Sequence, residues 1–154
     1  MKKLFTILLI VISINAIGQT PINLLAKTEK EIKDAMSSFS VVSFEKSFSE
    51  TGDPILGYQF DFDFSTGKNK SNNSIYAALF PLQIENTCVN CYYFYSDNND
   101  LEPIVNNINE SPIFVKIDNV FGWHNKNKNY DIIIEQNKNG KGFTLRYSWK
   151  FKKT

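Results

Sequence analysis

The sequence predicts an α+β domain: an antiparallel meander sheet with two short helices, in the order helix, strands, helix, strands. Three observations predict it. Phe143, Leu145, Tyr147, Trp149 and Phe151 alternate with Thr144, Arg146, Ser148 and Lys150, the period of two of a strand with one buried and one wet face. Asn139-Gly140 then supplies the positive φ angles of a tight hairpin back to the isoleucine-rich segment Tyr130–Gln136. Two other stretches carry apolar residues at helical spacing: Ile32, Ala35 and Met36, and Ile104, Val105 and Ile108. Helices this short are marginal alone, so they must dock on the sheet, and both are expected on one face.

The chain opens with Lys2 and Lys3, an apolar run Leu4–Ile14, and the small residues Ala16 and Gly18 at positions −3 and −1. These are the parts of an export signal over residues 1–18, cleaved before Gln19. The run falls short of the ~20 residues of a membrane span, and no Cys follows it closely enough for a lipoprotein anchor. Residues 19–154, or 154 − 18 = 136 residues, fit a single domain. No transmembrane span is expected after cleavage.

Thr28 opens the first helix, with Glu31 at capping-box spacing. Phe39–Phe48 reads as a strand with Val42, Phe44 and Phe48 inward; Lys46 breaks that face and marks an edge or rim. After the turn Thr51–Pro54, Tyr58–Phe64 alternates aromatics with Gln59, Asp61 and Asp63. Ser65–Ser74 is a polar loop, and Ile75–Leu79 is apolar on both faces, as a central strand is. Cys91–Tyr95 is the next strand, followed by a turn at Asp97–Asp100 and a helix around Pro103–Asn109, with Pro103 in its first turn. Ile113–Ile117 and Val120–Trp123 supply further strands before the terminal hairpin.

MKKLFTILLIVISINAIGQ resembles the export signals of Bacteroidetes, in which Gln often follows the cleavage point. The TEKEI helix, aromatic meander, second helix and terminal hairpin are similar in layout to small uncharacterised Sec-secreted proteins of that group. The resemblance implies a secreted or periplasmic location and no particular chemistry.

Charge and motifs exclude several functions. Removing the two signal lysines leaves 17 − 2 = 15 basic residues against 16 acidic ones, so the basic excess of a nucleic-acid binder is missing. His124 is the only histidine and therefore the only imidazole base for a Ser or Cys nucleophile. Cys88, Cys91 and His124 give three soft ligands where structural zinc takes four, so neither metal nor cofactor is expected. Asp97, Asn99 and Asp100 lack the glycine and distal Glu of a calcium loop, and neither Gly-Lys pair completes a phosphate loop.

Asp61 and Asp63, about 7 Å apart on one strand face, have the separation of a glycosidase pair. Alternation alone, however, places acids on any wet face. Cys88-Val-Asn-Cys91 is expected between strands, away from the helix N-terminus that lowers a redox thiol's pKa. It is expected as a local disulfide after export, the enzyme alternative being a thiol–disulfide oxidoreductase. Tyr92, Tyr93, Tyr95 and Trp123 are the candidate binding aromatics, suited to a sugar or peptide. The expected function is a non-catalytic binding domain for a protein, peptide or glycan. Opposite charges are also expected to pair across the wet face, Asp61 and Asp63 with Arg146 and Lys150.

Overall fold

The structure, a computed structural model, describes residues 21–39, 41–60, 76–81, 83–138 and 140–150. The export signal, Asp61, Asp63, the polar loop, Asn139 and Phe151 lie outside the described residues. The elements are α1 (Glu29–Met36), β1 (Val41–Phe48), β2 (Pro54–Phe60), β3 (Tyr76–Pro81), β4 (Asn90–Tyr95), α2 (Leu101–Glu110), β5 (Phe114–Lys116), β6 (Gly122–Asn125), β7 (Tyr130–Gln136) and β8 (Phe143–Trp149). The fold is α+β with an antiparallel sheet.

The described strands form one sheet in the order β1-β2-β3-β4-β8-β7-β6-β5. Its seam is the β4–β8 pair, with Tyr93 opposite Leu145. From that seam the order runs 4-3-2-1 outward on one side and 8-7-6-5 on the other. The two meanders therefore meet side by side at the β4–β8 pair.

Cross-strand partners share a face, and the register collects the core on one of them. Tyr58, Tyr93, Tyr95, Trp123, Ile132, Ile134, Phe143, Leu145 and Tyr147 are all buried there. Ile32 and Met36 of α1 and Ile104 and Ile108 of α2 join the same cluster. Each such side chain contributes about 1.5–3 kcal/mol on full burial, which holds two helices too short to persist alone.

The capping box forms as Thr28 and Glu31 predict: Glu31 N–H donates to Thr28 Oγ1 and Thr28 N–H donates to Glu31 Oε2. Lys46 Nζ lies 2.7 Å from Glu29 Oε2 and Lys33 Nζ 5.4 Å from the Phe44 ring centre, which seats α1 above β1. β1 is an edge strand, so Phe44 and Phe48 point toward the helix side but stay exposed.

Three expectations are corrected. The strand expected at Val120–Trp123 runs instead from Gly122 to Asn125, and its first pair, Gly122 with Ile133, brings the chains so close that a Cβ on residue 122 would stand 2.7 Å from Ile132 O. β2 starts at Pro54, four residues before the alternation at Tyr58. β2 and β8 are separated by β3 and β4, which rules out direct pairing of those two strands. The wet-face cations find other partners: Arg146 Nη2 lies 3.6 Å from Glu135 and Lys150 Nζ 3.3 Å from Asp131.

The segment before α1 is a strap across the core. Tyr147 Oη donates to Pro21 O (2.6 Å) and Tyr93 Oη to Ile22 O (2.5 Å). Ala26 N–H donates to Cys88 O and Cys88 N–H to Lys27 O, both at 2.8 Å. Tyr147→Phe keeps the ring but leaves the buried Pro21 carbonyl without this donor, an expected loss of about 1–3 kcal/mol, read as a lower urea midpoint with unchanged slope. An unchanged midpoint would remove the strap from the stability account.

Burial pushes the Tyr93 phenol well above its ordinary value of 10.0, and the Cys91 thiol well above its ordinary 9.0. An acid whose folded pKa is raised binds more protons folded than unfolded. Its stabilising contribution is therefore present below the unfolded pKa and is lost as pH rises toward the folded one. For the reduced chain, unfolding free energy is expected to fall from about pH 9 upward, as equilibrium denaturation at stepped pH should show. Constant stability to pH 11 would contradict it.

Candidate functional site: the open face of the sheet

Both helices occupy the core face. The opposite face is built from the alternate residues of the same strands, and among the described residues no helix covers it. Register places Gly122, Ile133, Arg146 and Tyr92 in one row across β6, β7, β8 and β4. Beside it run His124, Asp131, Ser148 and Asn90, and on the other flank Glu135, Thr144 and Phe94.

Tyr92 and Phe94, each half-buried, stack with ring centres 6.3 Å apart and planes inclined by 13°. Arg146 lies next to Tyr92 in the row. Its side chain is 34% exposed, yet its Nε is buried and has no hydrogen-bond partner among the described residues. A buried guanidinium donor without an acceptor costs free energy that a bound carboxylate or carbonyl would recover.

The second row carries charge. His124 Nδ1 lies 2.7 Å from Asp131 Oδ1, and Lys150 holds Oδ2 of the same carboxylate. Ser148 is the cross-strand partner of Asp131 on β8. The set has the residue types of a hydrolytic triad in the wrong order, because Asp131 stands between His124 and Ser148. Two strand spacings of roughly 4.8 Å each separate the histidine backbone from the serine backbone, so the imidazole is not placed to accept the hydroxyl proton.

The candidate aromatics divide by strand parity. Tyr92 is on the open face. Tyr93, Tyr95 and Trp123, proposed from sequence as binding residues, are at most 1% exposed and are core residues instead. Trp123 Nε1 donates to Asn109 Oδ1 of α2 at 2.8 Å, and Tyr95 stacks on Phe143 with ring centres 4.2 Å apart. Phe94, Ile133 and Glu135 complete the open face; the alternation of Tyr92-Tyr93-Phe94-Tyr95 held the signal for Phe94, but not which parity faced outward.

Cys88 and Cys91 are both buried thiols with Sγ atoms 3.4 Å apart. Cys88 precedes β4 and Cys91 lies within it, with a short 3₁₀ turn at Ile84–Asn86 upstream, so neither sits at an α-helix N-terminus. Burial, then the hydrogen bond and charge of Cys88, raise the Cys91 pKa.

The fold and this surface define a class: an α+β protein with helices on one side of an antiparallel sheet and a mixed aromatic and charged face on the other. No family model matches the chain, and no curated protein or solved structure matches it significantly. No described helix is long and apolar enough to cross a membrane.

Proposed function

We propose that the chain is an exported, non-catalytic binding domain, secreted or periplasmic, that engages a protein or peptide through the open face around Tyr92, Phe94 and Arg146. The observation carrying this reading is the buried Arg146 Nε, without an acceptor among the described residues, next to a stacked aromatic pair. An acidic or carbonyl-rich partner segment with apolar side chains meets both needs. Arg and Tyr are the residue types over-represented at binding hot spots. The helix–strands–helix–strands order is taken as the organisation of the whole domain after residues 1–18 are removed.

A ligand of the folded state raises the melting midpoint, so a thermal-shift screen of the mature chain against acidic peptides, neutral peptides and glycans tests the reading. The expected hit is an acidic peptide whose shift disappears in the Tyr92→Ala/Arg146→Gln variant, while that variant's own midpoint changes little. A flat screen, or a hit insensitive to the variant, would overturn it. N-terminal mass analysis of exported protein is expected to begin at Gln19; retention of Leu4–Ile14 would refute export.

Cys88 and Cys91 are proposed to close a structural disulfide on export, giving two protons and two electrons to a disulfide-carrying oxidant. Closing so short a loop stabilises by ~2 kcal/mol in the chain-entropy estimate, less any strain. Replacing both with Ser is expected to lower the melting temperature by a few degrees and leave ligand binding unchanged. A raised Cys91 pKa supports this over the thiol–disulfide enzyme reading, which would gain if the protein exchanged disulfides with a model substrate. The glycosidase alternative rests on Asp61 and Asp63.

A further inference from the structure

A second concavity, of about 390 Å³, lies where the strap before α1 meets the β6–β7 loop. Its lining includes Asn23 and Lys27 from the strap, Lys128 from the loop, and the aromatic pair Tyr130 and Trp149. It belongs to the helix side of the sheet, since Tyr130 and Trp149 are cross-strand partners of core parity. It is therefore distinct from the open face.

Both walls are held in place by buried groups. Asn125, only 2% exposed, accepts from the Asn127 and Lys128 backbone N–H groups with Oδ1 and donates through Nδ2 to Tyr130 Oη. One buried amide thus fixes the turn carrying Lys128 and the hydroxyl of the aromatic wall. The strap is pinned by the two hydrogen bonds between Ala26, Lys27 and Cys88, and Ala26 takes a left-handed φ of 63° there. Such a conformation costs an alanine free energy and persists only where surrounding contacts impose it. The concavity is preformed, and its size falls within the usual range for small-ligand sites.

The chemistry of the lining is one-sided. Among the described residues, no lining side chain has a carboxylate. Asn23 Oδ1 is taken by the Leu25 N–H, which leaves the side-chain NH2 as donor. Lys27 shares its charge with exposed Glu31 at 3.6 Å, whereas Lys128 makes no ion pair among the described residues. The polar side chains therefore offer donors and positive charge, against Trp149 and Tyr130 edge-to-face at 6.1 Å. The matching ligand is anionic, rich in acceptors, and has a C–H face for the aromatic wall. We infer that this is a binding site for a carboxylate-bearing sugar, a uronic acid unit of an acidic glycan. A peptide C-terminus has the same charge but lacks the flat C–H face that a pyranose ring lays against an aromatic wall.

The chain has two tryptophans, of which Trp123 is buried and Trp149 lines the concavity, so intrinsic fluorescence reads the site. Titration of the mature protein with trigalacturonate is expected to give a saturable change that weakens with salt. Neutral galactotriose is expected to bind at least tenfold more weakly. Lys128→Gln, at an exposed loop position, is expected to weaken trigalacturonate binding roughly tenfold with an unchanged melting temperature. Tyr92→Ala, on the open face, should leave it intact, which separates failure of this site from failure of the open-face reading. The inference is overturned by absence of saturable binding, by equal affinity for the neutral sugar, by indifference to Lys128→Gln, or by binding of a free-carboxylate tripeptide in place of the sugar.

Discussion

Gly142→Ala is expected to lower the melting temperature by roughly 10–20 °C, following a loss of about 4 kcal/mol or more. A Cβ at this position would lie 1.9 Å from Tyr95 O and 2.8 Å from both Tyr95 C and Ser96 C. These are backbone atoms, so no side chain can swing aside. The residue also holds φ +71°, which alone costs an L-residue about 1–2 kcal/mol. Relief requires parting the start of β8 from the end of β4, at the seam between the two halves.

Local hydrogen bonds oppose that movement. Asn137 Nδ2 donates to Tyr95 O at 3.0 Å, and Gln136 Nε2 donates to Gly142 O at 2.8 Å. Gly140→Ala is the control. Gly140 has φ +70° but nothing within 4 Å of its Cβ position, so only the conformational cost of ~1–2 kcal/mol applies. Thermal unfolding of the two variants side by side checks the claim; equal losses would show that the approach to Tyr95 is not limiting.

Trp123→Ala is the second large effect. The indole is 1% exposed, lies 5.3 Å from the Phe121 ring centre, and ties β6 to α2 through Asn109. Truncating a buried aromatic of this size costs about 3–5 kcal/mol. Asn109 is exposed, so water can replace its lost donor and the main effect is the cavity. The expected result is a large fall in stability, with ligand binding by the remaining folded protein unchanged. If Trp123→Ala keeps the wild-type melting temperature but abolishes binding, Trp123 is a ligand contact and the core position is wrong.

The α+β class and its antiparallel sheet were legible from period alone. Ile32 and Met36 bury as their helical spacing demands, and Phe143, Leu145 and Tyr147 bury as their alternation demands. The capping box at Thr28 and Glu31 was legible because all its atoms lie within one turn. Tyr130–Gln136 forms β7 with the bounds its composition suggested, and Lys46 correctly marked an edge. These are local properties, set by residues three or four apart at most.

What only the tertiary structure decided is which parity of each strand meets the helices and which strands are neighbours. Tyr92-Tyr93-Phe94-Tyr95 is aromatic on both sides, so pattern alone could not choose; the register with β8 buries Tyr93 and Tyr95 and leaves Tyr92 and Phe94 on the open face. Trp123 was a candidate binding aromatic, yet pairing with Ile132 turns it inward. The constraint on Gly142 comes from Tyr95 O, brought against it from 47 positions away (142 − 95). His124, Asp131 and Lys150 became a cluster, and Tyr147 reached Pro21, for the same reason. A sheet's long-range pairings carry no period along the chain, and the contacts they create exist only once the strands are laid side by side.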